Sequence, residues 1–358
     1  MSKRNITFYN QGCRLNQAET AILERSFEAD GYRVMQDQPS DIVVVNTCTV
    51  TENGDRDTRQ LVNRINRENP NVKIALVGCQ AQILKEELLK LPNVNWVIGN
   101  AQKMNLTKII NTDETNVVIA PKIERKSFTL PISGIDRRHT RANLKVQDGC
   151  DFYCAFCIIP FARGPARSRD FSDAIREAIE LVAAGHKELV LTGINLGTYH
   201  FKGKSIFDLI KALNRIQGLE RIRISSIEPT TIPDELVSLM GSSKLCRYFH
   251  VPIQSASNAM LKAMNRHYNL EEYDAFLKSV FEVVPDAGLG TDVIVGFPGE
   301  TDAHFQETVD YLASSPLSYF HVFSYSERRI ARSRKLSGKI EPSVIQERSR
   351  ILRALSQV

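Results

Sequence analysis

Short runs of β-branched and aliphatic residues alternate with helical patterns along nearly the whole chain, and this order leaves few possible folds. Early strands are predicted over "NITFYN" (5–10), "DIVVVNTC" (41–48), "VKIALVGC" (72–79) and "NWVIGN" (95–100). Helices are predicted between them over "NQAETAILERSFEADG" (16–31), from Arg56 to Glu68, and over "AQILKEELLKL" (81–91). Strands that are joined by helical crossovers run parallel. The first hundred residues therefore predict an open parallel-sheet α/β domain.

The alternation returns on a larger scale after residue 140. Six strand-like runs are separated by helical patterns such as "SDAIREAIELVAAG", and these runs are "NLKVQDGC", "KELVLTGIN", "RIRISSIEP", "RYFHVPIQS", "GLGTDVIVGF" and "YFHVFSYS". Six such repeats predict a partial (β/α)6 barrel, whose chemistry lies at the carboxyl ends of the strands. Residues 121–140 have two prolines and no clear period, which is typical of an interdomain linker. We therefore expect domains over 1–120 and 141–358, the second ending in a helical stretch.

The sequence composition indicates the cellular compartment and the role of the cysteines. No apolar run is long enough to span a bilayer, and no signal-peptide pattern is found at the start. We therefore expect a cytoplasmic protein without membrane association. Seven cysteines are an odd number for a chain without an export signal, which favours metal binding or catalysis over a disulfide framework.

Basic residues are unevenly distributed, although the net charge of +5 is modest. Solvated linkers and helix faces explain such groups as well as nucleic-acid binding does. The first basic group lies in and just after the linker and contains Lys122, Arg125, Lys126, Arg137, Arg138, Arg141 and Lys145. The second basic group lies near the end of the sequence and contains Arg328, Arg329, Arg332, Arg334, Lys335 and Lys339.

Three cysteines lie close together in "GCDFYCAFC" (149–157), directly after the first strand of the predicted barrel. We call Cys150, Cys154 and Cys157 the loop triad. Zinc sites usually take four protein ligands, and this stretch has neither a fourth cysteine nor a histidine. Three thiolates on a short loop can instead bind three irons of a 4Fe-4S cluster and leave the fourth iron open. A zinc site at the loop triad is the alternative interpretation.

Three further cysteines follow predicted strands of the N-terminal domain. Cys48 and Cys79 each end a strand, and Cys13 lies in the loop after the first one; we call these the strand-end triad. The carboxyl ends of parallel strands meet at one rim of the sheet, so the three thiols can meet there. Three buried structural thiols are the alternative. The remaining Cys246 is expected to be a core or surface thiol.

The loop triad, with Phe156 before its last cysteine, resembles the cluster motif of the radical S-adenosylmethionine superfamily. This resemblance implies that the open iron binds the methionine end of S-adenosylmethionine, and that the reduced cluster cleaves the cofactor to a 5′-deoxyadenosyl radical. "LTGINLGTY" resembles the strand end that meets the methionine amino group, and "RISSIEP" and "HVPIQS" resemble those along the ribose and adenosine. The implied cofactor contacts are Phe156, Thr192, Gly193, Asn195, Ser226, Glu228 and Gln254.

The N-terminal domain resembles the leading domain of the methylthiotransferases, in which three cysteines hold a second 4Fe-4S cluster. The likeness rests on "GCRLNQAET", "VVVNTCTVTENGDRDTR" and "ALVGCQAQ", and continues through "IIPFARGPARSR" and "GTDVIVGFPGETDAHFQET". It implies an enzyme with two 4Fe-4S clusters, of which Cys13, Cys48 and Cys79 would ligate one. It also implies two molecules of S-adenosylmethionine per reaction and an electron-donating reductant.

The resemblance also indicates a substrate. Branches of the family modify carbon 2 of an N-substituted adenosine at position 37 of tRNA, or the β-carbon of an aspartate in a ribosomal protein. The motifs look most like the threonylcarbamoyl-adenosine branch; isopentenyl-adenosine and the ribosomal aspartate are alternatives. The basic groups then favour the tRNA anticodon stem-loop as partner, because phosphate contacts provide sequence-independent affinity. The alternative from a different functional class is a non-catalytic iron–sulfur protein that acts as a scaffold or regulator.

Some features depart from the family pattern. Members normally continue with a small RNA-binding β-barrel, whereas this sequence ends at Val358 after the helix-like "SVIQERSRILRALSQV". We therefore expect the barrel to be absent, either because the chain is truncated or because this member lacks the module. Ala256 stands where the family usually has glycine. The stretch "YSERRIARSRKL" lacks the Gly-Thr-Pro-Ala-like segment that normally follows the Tyr-Ser pair.

Overall fold

The N-terminal domain contains one six-stranded sheet in the computed structural model, which describes residues 4–36, 39–136 and 139–357. Its strands are β1 (Asn5–Asn10), β2 (Arg33–Met35), β3 (Ile42–Thr47), β4 (Lys73–Gly78), β5 (Val94–Gly99) and β6 (Val117–Ile119). They lie in the order β2-β1-β3-β4-β5-β6, and every neighbouring pair is parallel. The predicted open parallel sheet is confirmed.

Helices cover both faces of this sheet. They are α1 (Arg14–Ala29), α2 (Glu52–Glu68), α3 (Cys79–Leu84), α4 (Glu86–Leu89) and α5 (Leu106–Ile110). Val44 of β3 belongs to the same core as Phe27 of α1, whereas Val43 and Val45 belong to the core that contains Val62 of α2. A strand with both faces covered is apolar at successive positions, which explains the run "IVVV".

Two helices differ from the expectation. Helix α2 begins at Glu52, four residues before Arg56, because the Thr51 hydroxyl accepts a hydrogen bond from the amide of Gly54 (3.2 Å) and caps the helix. The single helix predicted over residues 81–91 was wrong: Lys85 adopts φ +44° and separates α3 from α4. A right-handed helix cannot continue through that conformation.

Six parallel strands form the incomplete barrel of the second domain. The strands of this domain, including short ones between the barrel strands, are β7 (Arg141–Lys145), β8 (Gln147–Asp148), β9 (Arg167–Ser168), β10 (Glu188–Thr192), β11 (His200–Phe201), β12 (Lys204–Ser205), β13 (Arg221–Ile224), β14 (Tyr248–His250), β15 (Gly288–Val295) and β16 (Tyr319–Ser324). Parallel pairing links β7-β10-β13 and β14-β15-β16, and a bridge between Ile222 and Leu245 connects the two groups. Within the described ranges no pairing joins β16 to β7, so the predicted partial (β/α)6 barrel is confirmed.

The helices of the second domain surround the barrel. They are α6 (Ile159–Arg163), α7 (Phe171–Ala183), α8 (Ile206–Asn214), α9 (Asp234–Met240), α10 (Asn258–Ala263), α11 (Leu270–Val283), α12 (Asp302–Ser314) and α13 (Pro342–Leu355). Apart from α6, these helices pack their apolar faces on the strands in one continuous core. The last described helix, α13, coincides with the predicted C-terminal helical stretch.

The described residues of the segment 121–140 contact the second domain. Ile123 and Leu130 are buried, and Phe128 forms a bridge with Arg169 of the barrel. Arg137 and Arg138 of the first basic group lie outside the described residues. No helix in the described parts of the chain has the length and apolar character to cross a membrane.

Candidate functional site

The strand-end triad lies along the carboxyl edge of the N-terminal sheet. Cys13 comes directly before α1, Cys48 follows β3, and Cys79 is the first residue of α3. These cysteines follow the neighbouring strands β1, β3 and β4. Burial, with smaller contributions from the thiols of Cys79 and Cys13, raises the pKa of Cys48 to about 11. Both of those thiols are therefore near Cys48.

The loop triad occupies the turn between β8 and α6. The amide of Cys157 donates to the carbonyl oxygen of Cys154 (3.0 Å). Burial raises the pKa of Cys150 to about 11 and that of Cys157 to about 12, and the charge of Cys154 contributes to both shifts. Gly149 starts the loop at φ +74°, where a Cβ would lie 2.0 Å from a backbone oxygen of the facing segment. Only glycine fits at that position.

The spacing of the thiols fits iron–sulfur clusters better than zinc. Thiolates on one tetrahedral zinc lie about 3.8 Å apart, since each Zn–S bond is about 2.3 Å. Among the described residues, neither triad brings three donor atoms within 4.8 Å of one another. A 4Fe-4S cluster takes each thiolate on a different iron, so its ligands lie farther apart. The raised pKa values of Cys48, Cys150 and Cys157 mean that these three thiols keep their protons at neutral pH until metal replaces them.

A cavity of about 190 Å³ lies between the two triads. Val50 and Thr51, which follow Cys48, line one side, and Phe156 and Cys157 line another. The strand ends of the barrel complete the wall with Gln254, Asp292, Ile294, Phe323, Ser324, Tyr325 and Ser326. A molecule in this cavity would contact the surroundings of both triads, and two of the predicted cofactor contacts line it.

Three of the other predicted cofactor contacts lie at the end of β10. Gln147 accepts the amide of Asn195 (3.1 Å) and donates to the carbonyl oxygen of Gly149 (2.8 Å), which connects this strand end to the start of the loop triad. Thr192 Oγ1 and Asn195 Nδ2 are buried without a hydrogen-bond partner in the described structure. Buried polar atoms are normally paired, so this site fits a polar ligand such as an amino acid group. Packing also requires glycine at position 193, because a Cβ there would lie 2.8 Å from Gln147.

The remaining predicted contacts follow β13, and there the structure adds a residue that the sequence analysis missed. Glu228 forms an ion pair with Arg266, whereas Ser226 is half-buried nearby. Arg266 Nη1 donates to Cys154 Sγ at 3.1 Å, and its side chain is 2% exposed. Burial opposes the charge, but Glu228 outweighs it and raises the pKa of Arg266. The stretch "NRHY" has no motif that would have identified this arginine.

A buried group of charged side chains, the ion network, joins the two domains. Lys103 Nζ lies 2.5 Å from Glu19, and Lys145 Nζ lies 2.6 Å from the same carboxylate. Arg163 bridges Glu19 (3.1 Å) and Asp148 (3.0 Å). Glu19 and Lys103 belong to the N-terminal domain and the other three to the barrel domain. All five side chains are at most 7% exposed, so the domains share one desolvated ionic contact.

The ion network and a second contact correct the expected role of two basic residues. Lys145 is buried among carboxylates and cannot face an RNA phosphate. Arg328 is also buried; it donates to Thr49 Oγ1 (2.9 Å) and pairs with Asp55 (2.5 Å). Thr49 immediately follows Cys48, so Arg328 fixes the loop of the strand-end triad against the barrel. These two cations have intramolecular partners, a use that sequence clustering does not reveal.

Comparisons with known proteins cover both domains. Residues 144–312 match the Radical SAM superfamily, and residues 5–99 match Uncharacterized protein family UPF0004. "Threonylcarbamoyladenosine tRNA methylthiotransferase MtaB" of Aquifex aeolicus is 39% identical over 98% of this chain and 88% of its own. The Bacillus subtilis protein of that name is 38% identical over 98% and 80%. A "tRNA-2-methylthio-N(6)-dimethylallyladenosine synthase" of Alkaliphilus oremlandii is 32% identical over 99% and 78%.

Solved structures share the fold at lower sequence identity. The radical S-adenosylmethionine methyltransferase TsrM of Kitasatospora setae has a TM-score of 0.65 and 16% identity, over 90% of this chain and 75% of that one. The cobalamin-dependent S-adenosylmethionine radical enzyme OxsB has a TM-score of 0.61 and 11% identity, over 99% and 56%. These likenesses support the arrangement of a parallel-sheet domain before the barrel.

A parallel-sheet domain and an incomplete β/α barrel, each with a cysteine triad at its carboxyl edge, define an enzyme of the radical S-adenosylmethionine class. Within that class, the chain belongs to the methylthiotransferase family that includes MtaB. The cofactors of this family are S-adenosylmethionine and two 4Fe-4S clusters. The two triads offer three free thiols for each cluster, and the unpaired polar atoms at the end of β10 fit a bound cofactor.

Proposed function

We propose that the chain adds a methylthio group to carbon 2 of threonylcarbamoyladenosine at position 37 of tRNA. The choice of this substrate rests on the 39% identity, over 98% of the chain, to a protein named for that activity. The dimethylallyladenosine synthase of Alkaliphilus oremlandii is less similar, at 32%. The cavity between the triads supports the chemistry, because sulfur insertion needs a sulfur centre and a radical source that reach the same carbon.

The proposal assigns one cluster to each triad. Cys13, Cys48 and Cys79 would hold one 4Fe-4S cluster within residues 1–120, and Cys150, Cys154 and Cys157 the other within residues 141–358, with 121–140 as the linker. When bound, the second cluster and S-adenosylmethionine supply a carbon radical, which removes a hydrogen that no side-chain base can take near pH 7.

The side chains around the loop triad would bind and orient the cofactor. Thr192 Oγ1 and Asn195 Nδ2 offer a buried acceptor and donor at the end of β10. Arg266 places a fixed positive charge 3.1 Å from Cys154 Sγ, which stabilises a thiolate there. Glu228 holds Arg266 through their ion pair. Gly193, Ser226, Phe156 and Gln254 complete the proposed cofactor contacts.

The cavity walls and the ion network would supply position and water exclusion. Val50, Phe156, Ile294 and Phe323 give the cavity an apolar lining, which protects a radical from side reactions. The ion network fixes the two domains, and so fixes the separation of the triads. Small displacements of reacting groups reduce rates strongly, so a rigid separation favours the reaction.

The anticodon stem-loop of tRNA is the proposed partner, with an external reductant and a cytoplasmic location. Arg329, Arg334 and Lys339 of the second basic group have side chains that are 54–70% exposed, although each pairs with a glutamate. They begin just after Ser326 at the cavity wall. Exposed cations beside the cavity would contact backbone phosphates while the base enters.

Anaerobic reconstitution tests the assignment of the clusters. We expect about eight irons per chain, since each cluster holds four, and 5′-deoxyadenosine after reduction with S-adenosylmethionine. Cys48→Ser should keep about four irons and still release 5′-deoxyadenosine, whereas Cys154→Ser should keep about four and release none. Cys246→Ser is the matched control and should behave as wild type. Iron binding without cofactor cleavage in the wild type would support a scaffold instead.

The substrate is tested by mass spectrometry of tRNA nucleosides from a strain that lacks the gene. We expect the methylthio derivative of threonylcarbamoyladenosine to disappear and the unmodified nucleoside to accumulate. Complementation with wild type and with Cys246→Ser should restore it, and complementation with Cys154→Ser should not. If only the methylthio derivative of dimethylallyladenosine disappeared, the protein would belong to the dimethylallyladenosine branch instead.

A further inference from the structure

The barrel lumen contains a group of metal-ligating side chains that belongs to neither triad. His250 ends β14, Asp292 lies in β15 and His321 lies in β16. His250 Nε2 and His321 Nδ1 lie 3.0 Å and 3.3 Å from the same atom, Asp292 Oδ1. In the described parts of the chain, this is the only group of three such ligand atoms within 4.8 Å of one another.

We propose that His250, Asp292 and His321 bind a divalent first-row transition-metal ion, at what we call the lumen site. Two imidazoles and one carboxylate on the same side of an ion leave its other coordination positions open. Metal–nitrogen and metal–oxygen bonds of about 2.0–2.2 Å place neighbouring ligand atoms about 3 Å apart, which is the distance of Asp292 Oδ1 from each imidazole nitrogen here. Sites with three protein ligands are typical of metals that bind a further molecule.

The contacts of Asp292 favour an ion over simple hydrogen bonding. Both imidazole nitrogens approach Oδ1, whereas Oδ2 has no hydrogen-bond partner among the described residues. One carboxylate oxygen can accept two hydrogen bonds, but only the His321 contact has hydrogen-bond geometry, and the 3.0 Å contact of His250 Nε2 does not. The convergence of both rings on Oδ1 fits ligands of a common ion, and Oδ2 remains available as a further ligand atom.

A second shell of hydrogen bonds fixes His250. Its Nδ1 lies 3.0 Å from Tyr319 Oη, and the Tyr319 hydroxyl also bonds that of Tyr248. The Tyr319 ring lies over Gly290, where a Cβ would be 2.1 Å from a ring atom. Metal-binding histidines usually use their other ring nitrogen in this way, which orients the ligand nitrogen.

The lumen site has both an entry path and a neighbouring ligand cavity. The side chains of His250, Asp292 and His321 are 10%, 25% and 58% exposed, so the group opens to solvent on the side of β16, the edge strand. Asp292 also lines the cavity between the triads. The open coordination positions can therefore take an oxygen ligand from a molecule in that cavity; identifying that molecule with the nucleoside rests on the proposed function.

Binding of Mn²⁺ to the reconstituted enzyme tests the lumen site without S-adenosylmethionine or RNA. Oxidised 4Fe-4S clusters are diamagnetic, so the EPR signal of free Mn²⁺ measures its binding directly. We expect one equivalent to bind to the wild type. His321→Phe, on the exposed edge strand, should weaken binding at least tenfold, because even changes around a metal ligand cost 10–100-fold. Asp292→Asn should weaken it as well.

The matched control is His200→Ala, since His200 is an exposed histidine outside the group. It should bind Mn²⁺ like the wild type, and all variants should first be shown to hold about eight irons. If the wild type binds no Mn²⁺, or if His321→Phe and Asp292→Asn bind it like the wild type, the lumen site is refuted. Because no turnover is measured, this result is independent of the result on tRNA nucleosides.

Discussion

Replacing Glu19 by glutamine tests whether the ion network holds the two domains together. The substitution keeps the size of the side chain but removes the carboxylate charge that Lys103, Lys145 and Arg163 share. Removing one partner of a buried ion pair costs about 3–5 kcal/mol, because the other charge stays desolvated. Lys145 and Arg163 would then keep only Asp148, and Lys103 would keep no carboxylate partner among the described residues. We therefore expect the free energy of unfolding to fall by at least about 3 kcal/mol.

Urea unfolding of the metal-free, reduced chain, followed by circular dichroism, measures this loss. The control is Glu28→Gln on the same helix, whose ion pair with Arg25 lies at the surface. Surface pairs contribute about 1 kcal/mol or less. Glu19→Gln should also increase proteolytic cleavage within residues 121–140. If the two variants lower the urea midpoint equally, the ion network does not stabilise the domain contact.

The loss should have a defined pH dependence. Burial alone would raise the pKa of Glu19, but Arg163, Lys103 and Lys145 outweigh it and hold the pKa well below its ordinary value. A lowered pKa in the folded state contributes stability above the unfolded pKa of about 4.3, and this stability is lost as the pH falls through the folded pKa. The difference between wild type and Glu19→Gln should be constant between about pH 5 and 8 and shrink in stronger acid. A difference that grows on acidification would contradict this account.

Three further predictions concern other contacts. Arg328→Ala should lower the free energy of unfolding by about 1.5–3 kcal/mol, measured in urea, because the hydrogen bond to Asp55 involves charged groups; an unchanged midpoint would exclude this role. Gly290→Ala should cost about 1–3 kcal/mol in thermal or urea unfolding, because its Cβ would overlap a tyrosine ring; wild-type stability would show that the ring moves freely. Iron uptake by the metal-free chain should be faster at about pH 8 than at pH 6, because the raised pKa values of Cys150 and Cys157 make cluster assembly release protons; anaerobic iron analysis showing equal rates would contradict this.

The sequence was informative about the cysteines because they lie directly at strand ends. Parallel topology follows from the alternation of strands and helices, and topology then places Cys48 and Cys79 at one edge without any knowledge of side-chain contacts. Thr192 and Asn195 were instead predicted from the resemblance of "LTGINLGTY" to a family strand end, and they lie at the end of β10. Which atoms bind the cofactor remains a prediction.

The residues that sequence reasoning missed act through contacts between distant parts of the chain. Arg163 lies 144 positions from Glu19, and Arg266 lies 112 positions from Cys154. No local pattern reports such pairings, because the same basic residue can face solvent or a buried carboxylate. Lys145 was assigned to a basic surface for this reason, and only its three-dimensional surroundings show the buried pairing.

The cavity between the triads is small for a substrate site. At about 190 Å³ it is smaller than the 300–1,000 Å³ typical of pockets that enclose a whole small ligand. The nucleotide proposed as substrate could therefore insert only its base edge, and its sugar and phosphate would remain outside. Such an enzyme would select its target in two places: the base inside the cavity, and the surrounding polymer on the outer surface.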